Sequence, residues 1–540
     1  MLDNSIDESR LERWFVPAIL FLVAFLIVGL TLKDYGVAWD EPSYFYASDL
    51  HTNWILELSR NITTGDIHRS LSDEAIRSAW HWNPYNVPHP PFSRIISGLT
   101  KGALYPALDK FSAYRVGPAL FFALLVVVMY VWIRELFGRA AGLSSALALT
   151  LTPNLFGYAH IAVTDLPLAS LWFLAAYCFW KGLFRWQWSI ALGVVWGLAL
   201  STKFPAVLIP LPLILWAHIF HRQKYTNNVF ALLFLAPVFM IASQPYLWHQ
   251  TGLRILEFLY EGISRAYRPD ANFMIYFYHQ LLFTQQLPWY YPFFIVGITT
   301  PEPMIVLAVL GGIASLWMAK QRTAILLFVA NAIFVLMLGL VPGAVLHDGV
   351  RQMLSALPFL AALAGAGFCA LASGVFKLGE RWSIFKFTQQ ETILRAILIL
   401  LIFALPAFDQ ISSHPFQLSY YNRLVGGIRG AYTRGLETTY FLEALNPELL
   451  DTLNKTLPEN ATITASFANF MLRFYQQEGR LRKDIKITAT RPFDFYLLVN
   501  RRSVLGPRER NLMNAGVKAF ASVGVADTPL VAVYDFREAR

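Results

Sequence analysis

Apolar stretches near the length that crosses a bilayer recur through most of this 540-residue chain. A single soluble core cannot absorb so many of them. They lie near 15–32, 114–133, 141–158, 166–180, 188–201 and 204–220, then 229–243, 303–319, 324–340, 353–372 and 393–408. A helix rises 1.5 Å per residue, so about 20 apolar residues span the hydrocarbon layer. The runs predict about 11 transmembrane helices, the shortest flanking Lys203. The composition agrees: 56% of residues are hydrophobic, against roughly 45–50% in soluble domains, and only 15% are charged.

The net charge of +9 raises the question of nucleic acid. Its distribution answers it, because the cations sit in short clusters between apolar runs rather than on one basic face. Arg134 with Arg139, Lys181 with Arg185, Arg222 with Lys224, Lys320 with Arg322, and Lys377, Arg381 and Lys386 fall in alternate loops. The positive-inside rule places these loops, with Arg10 and Arg13, on the cytoplasmic side. An odd number of spans then carries the C-terminus outside. Membrane lipids are expected neighbours and nucleic acid is not.

The outer face carries a long first loop, about 33–113, and a tail of different texture from residue 412 onward. Short apolar or alternating segments at 461–465, 485–488, 496–499 and 530–534, with helical stretches at 447–457 and 508–520, predict a small soluble α/β domain. The expected organisation is a transmembrane unit at 1–411 and an extracytoplasmic unit at 412–540.

Ionisable residues collect on that same face. Asp40 and Glu41 follow the first span. Asp165 precedes the fourth, where it would also serve as a helix cap. Lys203 interrupts an apolar stretch and needs a partner, an anionic ligand or a route to the surface. Arg351 follows His347 and Asp348 at the mouth of the tenth span, where it can pair with Asp348. Each has a bland reading: loop charge, cap, interfacial lysine or local ion pair. Together they supply carboxylates that can take a proton from a hydroxyl and cations that can hold a departing phosphate. That combination suits transfer of a group from a lipid phosphate. His81 and His89 lie eight residues apart among aromatics, a spacing that fixes no zinc geometry, so no metal or other cofactor is expected.

Several segments carry a family resemblance. They are Trp39-Asp40-Glu41-Pro42-Ser43-Tyr44, His89-Pro90-Pro91-Phe92, Ala159-His160-Ile161-Ala162-Val163-Thr164-Asp165-Leu166-Pro167 and Gly197-Leu198-Ala199-Leu200-Ser201-Thr202-Lys203. Further on come Pro288-Trp289-Tyr290-Tyr291-Pro292, Asp348-Gly349-Val350-Arg351-Gln352 and His414-Pro415-Phe416-Gln417-Leu418-Ser419-Tyr420-Tyr421-Asn422 with Gly426-Gly427. In this order they resemble GT-C glycosyltransferases of the protein O-mannosyltransferase type (glycosyltransferase family 39-like), a group related to the lipid A aminoarabinose transferases. The last hundred residues match no motif of the group.

The resemblance implies a GT-C fold and an inverting transferase using a polyprenyl- or dolichyl-phosphate sugar donor. The acceptor would be a hydroxyl of a protein, a lipid or a cell-envelope glycan. It implies Asp40 as catalytic base with Glu41 beside it, and Asp165 as the second acid of the reaction centre. Lys203 and Arg351 would meet the donor phosphate, with His89 and His347 as further substrate contacts. On resemblance alone the expected location is a bacterial inner membrane. A lipid-linked substrate transporter or flippase is the rival from another class, but it would favour mid-bilayer acids and related halves. A lipid-linked glycan ligase or polymerase is the rival enzyme.

Overall fold

The computed structural model describes residues 10–81, 90–264, 273–341, 343–382 and 388–537. Every apolar run predicted from the sequence is helical there, whole or in pieces. Four helices are long and apolar enough to cross a membrane by length and composition, and five shorter apolar helices accompany them. The chain is an integral membrane protein.

Position in the bundle follows from how much of each helix is apolar. Helix Lys110–Phe137 is apolar all round and sits at the centre, with Trp132 fully buried among Phe173, Tyr177 and Phe328 at centroid distances of 4.8–5.3 Å. Helices Arg10–Thr31 and Thr388–Ser412 lie at the periphery. Leu22, Leu30, Leu400 and Leu401 are exposed there, which in a bilayer means facing lipid.

Proline marks where runs that look continuous in the sequence break. The stretch 141–158 is two helices, Arg139–Thr150 and Pro153–Tyr158, because Pro153 has no N–H to continue the ladder. The stretch 229–243 passes through a π-helical turn, Ala231–Leu235, immediately before Pro237. After Lys203, whose backbone is extended, a short 3-10 helix Phe204–Leu208 precedes helix Pro210–Phe220. Such departures leave Lys203 at a break between helices rather than inside one.

Helices Glu302–Ala314 and Leu357–Arg381 cross backbone to backbone. A Cβ added at Gly311 would stand 1.9 Å from the Leu363 carbonyl oxygen, and one at Gly367 would stand 1.9 Å from that of Leu307. Small residues of this kind let helices pack where no hydrophobic effect drives them together.

The long loop after the first span is helical, with Glu41–Thr64, Ile67–Leu71, Asp73–Trp80 and Phe92–Leu104. The loop after residue 243 carries the amphipathic helix Thr251–Ser264 and a hairpin of β1 (Met274–Phe277) and β2 (Gln280–Phe283). The tail forms a five-stranded mixed sheet from β3 (Thr462–Ala465), β4 (Lys486–Ile487), β5 (Phe495–Val499), β6 (Ala521–Val525) and β7 (Thr528–Asp535). Its order is β4-β3-β5-β7-β6, with β3 parallel to both neighbours and β7 antiparallel to both of its own. Ile463, Leu497, Val531 and Val533 are fully buried in it, and helix Pro447–Thr456 contributes buried Leu449, Leu450 and Leu453. Helix Pro507–Asn514 is shorter than the predicted 508–520, and β6 takes up residues beyond it.

Gly367→Val forces a side chain into the Leu307 carbonyl. It should cost at least about 1–3 kcal/mol, the usual toll of overpacking, read as a lower Tm of the purified protein. An unchanged Tm would mean that these helices are not in backbone contact.

Candidate active site

Three carboxylates from distant parts of the chain meet on one guanidinium. Arg351 donates from Nη2 to Asp40 Oδ2 at 2.6 Å, from Nη1 to Asp348 Oδ2 at 3.0 Å and from Nε to Asp165 Oδ1 at 3.3 Å. Lys203 Nζ donates to the same Asp165 oxygen at 2.7 Å. Arg501, from the tail, donates to Asp348 Oδ1 at 2.9 Å and to the Tyr440 carbonyl at 2.6 Å. The junction therefore balances three acids with three cations, as a buried charge cluster must.

Local structure explains how each side chain arrives. Asp40 is the residue before helix Glu41–Thr64, with Pro42 in the first turn where a missing N–H costs nothing. Asp165 opens helix Asp165–Gly182. Asp348 takes φ +61°, a conformation that Asp tolerates better than most residues, and so turns its carboxylate toward Arg351. Burial pushes the Asp348 carboxyl up, yet His347, Arg501 and Arg351 outweigh it and hold the group below its usual range. His347 lies 3.5 Å from Asp348 Oδ2, against the ring of Phe273.

The carboxylates differ in access. The Asp40 side chain is 27% exposed, that of Asp165 is 1% exposed and that of Asp348 is fully buried. Arg351 engages only Oδ2 of Asp40. Asp40 is thus the member of the junction that an incoming molecule can reach.

Glu41 occupies a different place from the one its position beside Asp40 suggested. It is fully buried and salt-bridged to Arg115 of the central helix, through Oε2 to Nη2 at 2.6 Å and Oε1 to Nε at 2.8 Å. The backbone N–H groups of Ala38 and Ala162 fill its remaining acceptor sites at 2.8 Å each. Arg115 in turn caps the carbonyls of Leu32, Tyr35 and Gly36. Glu41 pins the Asp40 segment to the bundle and has no free face for a substrate. Arg115 was legible as a lone cation at the edge of an apolar run, which calls for a partner.

The tail clamps the same segment from the other side. Trp39 N–H donates to the Phe441 carbonyl at 2.7 Å and Gly36 N–H to the Glu443 carbonyl at 3.0 Å. A Cβ on Gly36 would lie 2.4 Å from the carbonyl oxygens of Glu443 and Leu445, so no larger residue fits there. Phe441 faces the Arg351 guanidinium at 5.2 Å, and Trp39 faces that of Arg501 at 5.0 Å. Arg501, Phe441 and Glu443 were not singled out from the sequence, and no motif marks them. Glu443 accepts from the Phe441 N–H through Oε2, and burial raises its carboxyl to about 7, with Asp348 adding to the rise.

The structure thus unites Asp40, Asp165, Lys203, Arg351 and His347, with Glu41 one hydrogen-bond layer behind. His89 lies outside the described residues. Among the described residues no group of three His, Cys, Asp or Glu side chains is placed to share a metal ion.

Residues 99–249 match the sequence model of the family described as dolichyl-phosphate-mannose-protein mannosyltransferase. This stretch includes Asp165 and Lys203, and the resemblance to GT-C mannosyltransferases holds over it. Among solved structures, the chain is similar to ArnT from Cupriavidus metallidurans bound to undecaprenyl phosphate. The identity is 14%, with 96% of this chain and 97% of that one covered, at a TM-score of 0.49. It is also similar to the archaeal oligosaccharyltransferase AglB from Archaeoglobus fulgidus in complex with an inhibitory peptide and a dolichol-phosphate. Here the identity is 13%, with 83% of this chain and 59% of that one covered, at a TM-score of 0.46. No curated protein sequence matches the chain.

Two outcomes test this geometry. Arg115→Met leaves Glu41 buried without its partner and should cost about 3–5 kcal/mol of stability, measured by thermal unfolding; a neutral effect would mean that the pair does not hold the segment. For Glu443 the folded carboxyl titrates near 7, above its ordinary 4.5, so its contribution is full below about pH 4.5 and lost as pH rises through 7. The Tm of Glu443→Gln should therefore fall less between pH 4.5 and 7 than that of the parent protein. Parallel curves would remove Glu443 as a buried titrating group.

Proposed function

We propose that the chain is an inverting glycosyltransferase that moves a sugar from a polyprenyl- or dolichyl-phosphate carrier to an acceptor hydroxyl on the extracytoplasmic face. The observation that carries this reading is the Arg351 junction, where one accessible carboxylate stands beside two cations at the edge of a membrane bundle. The family match over residues 99–249 supports it independently of that geometry.

Asp40 is the base in this reading. Its Oδ2 is held by Arg351, which leaves Oδ1 to accept the proton of the acceptor hydroxyl. The acceptor oxygen forms its bond to the anomeric carbon as the bond from that carbon to the phosphate oxygen breaks. The electron pair leaves with the phosphate. Attack from the face opposite the phosphate inverts the centre.

Lys203 and Arg351 stabilise the departing phosphate, since three of Arg351's five N–H donors are engaged by carboxylates and others remain for an anion. Asp165, buried between these cations, positions them rather than touching the substrate, and Glu41 positions Asp40. His89 and His347 stay as proposed substrate contacts. The reading keeps a catalytic membrane unit, 1–411, and an extracytoplasmic unit, 412–540. A bacterial inner membrane with the N-terminus cytoplasmic is its proposed setting.

Purified protein in nanodiscs, given radiolabelled polyprenyl-phosphate sugars and cell-envelope or peptide acceptors, should form labelled product. Asp40→Asn should lower transfer by about 100-fold or more, the usual scale for a lost general base, while lipid binding persists. Unchanged transfer in Asp40→Asn would remove the assignment, and lipid movement across the bilayer without bond change would favour a flippase.

A further inference from the structure

The segment that runs from the last span into the tail borders a half-open cavity outside the Arg351 junction, with a volume of about 270 Å³. Small-molecule sites run from roughly 300 to 1,000 Å³, so this one has room for a single ring and not for a chain. Its floor is the outer end of helix Thr388–Ser412 and its roof is the turn between β6 and β7, at Val525 and Ala526. Phe408 at its rim and Ile411 beside it are among the most exposed apolar side chains, so the opening lies where the lipid-facing surface ends.

The walls are built for hydroxyl groups. Asp409 receives Arg423 on both oxygens, Nη2 to Oδ1 at 2.6 Å and Nη1 to Oδ2 at 2.9 Å, and the Tyr420 hydroxyl donates to Oδ2 at 2.9 Å. Oδ2 is filled by these two donors, Oδ1 keeps one acceptor site, and the Arg423 side chain remains 47% exposed with donors to spare. The pair therefore offers an acceptor next to a donor, the pattern that a vicinal diol satisfies. Ser419 also lines the cavity. It is buried, and its Oγ has no hydrogen-bond partner among the described residues. That hydroxyl is closed off from the cavity, so recognition falls to Asp409 and Arg423. Phe408, exposed at the rim, gives the aromatic surface on which the apolar face of a sugar ring rests.

We propose that this cavity is a carbohydrate-binding site separate from the Arg351 junction, taking one pyranose ring through its vicinal hydroxyls. The shared chemistry is the ring; it can belong to a membrane-anchored glycolipid headgroup or to a soluble glycan. The segment supplying the walls contains Phe416, Ser419, Tyr420 and Tyr421, motif residues that the junction leaves unused. A contact path joins the two places. Tyr421 Oη lies 3.0 Å from Tyr440 Oη, and a Cβ at Gly349, beside Asp348, would stand 2.9 Å from the Tyr440 ring. Binding here does not depend on the transferase reading, because the cavity is defined by its own residues.

The test uses full-length protein in nanodiscs and a diazirine-bearing dodecyl glucoside, with cross-links mapped by mass spectrometry. Labelling should fall on residues 408–428 or on the β6–β7 turn, and unlabelled dodecyl glucoside should compete while dodecanol does not. Competition by methyl glucoside as well identifies a soluble sugar as sufficient; its failure to compete identifies an anchored headgroup. Ser412→Trp, at an exposed rim position, should abolish the label without touching the core. Equal competition by dodecanol, labelling that maps elsewhere, or labelling indifferent to Ser412→Trp would each overturn the proposal. These readouts involve no sugar transfer, so an inactive protein that still labels refutes the transferase reading alone.

Discussion

Arg351 binds carboxylates that lie up to 311 positions away in the chain, and each of those carboxylates belongs to a different structural element. In a protein this apolar, a charge left alone beside the bundle costs several kcal/mol. The fold must therefore bring Asp40, Asp165 and Asp348 to Arg351 together, with Lys203 and Arg501 completing the balance. The burial that makes the cluster costly also rigidifies it, because no member can move without stranding another. Asp40 alone keeps an exposed edge, and on that asymmetry the proposed chemistry rests.

The segment carrying Asp40 is held from two sides. From the bundle, the Glu41–Arg115 pair fixes the backbone between the first span and helix Glu41–Thr64. From the tail, Trp39 and Gly36 hydrogen-bond to Phe441 and Glu443, and the Tyr475 hydroxyl bridges the Val37 N–H and the Leu445 carbonyl. Through Arg501 the tail also reaches Asp348. The tail is thus a structural part of the site.

The helical membrane architecture was legible because apolar length acts locally, and every predicted run is helical. What periodicity could not show was where prolines break a run, at Pro153 and Pro237, since an apolar stretch reads the same with a break or without one. The junction was legible as a set of residues on one face, yet not as a network. Lys203 was balanced between a surface-seeking lysine and a functional cation, and its partner Asp165 lies 38 positions away. Glu41 looked like a second catalytic acid because adjacency in sequence says nothing about which way a helix turns its next side chain. Arg501 and Glu443 had no signal at all, for they act through a tail whose pattern encodes only its own sheet.

In the proposed reaction, a hydroxyl that Asp40 activates displaces the lipid phosphate from the anomeric carbon in a single step. The anomeric configuration of the transferred sugar, determined by NMR on the product formed from a donor of known configuration, tests this most directly. Inversion is the expected result. Retention would require a covalent glycosyl-enzyme or two successive displacements, and would contradict it.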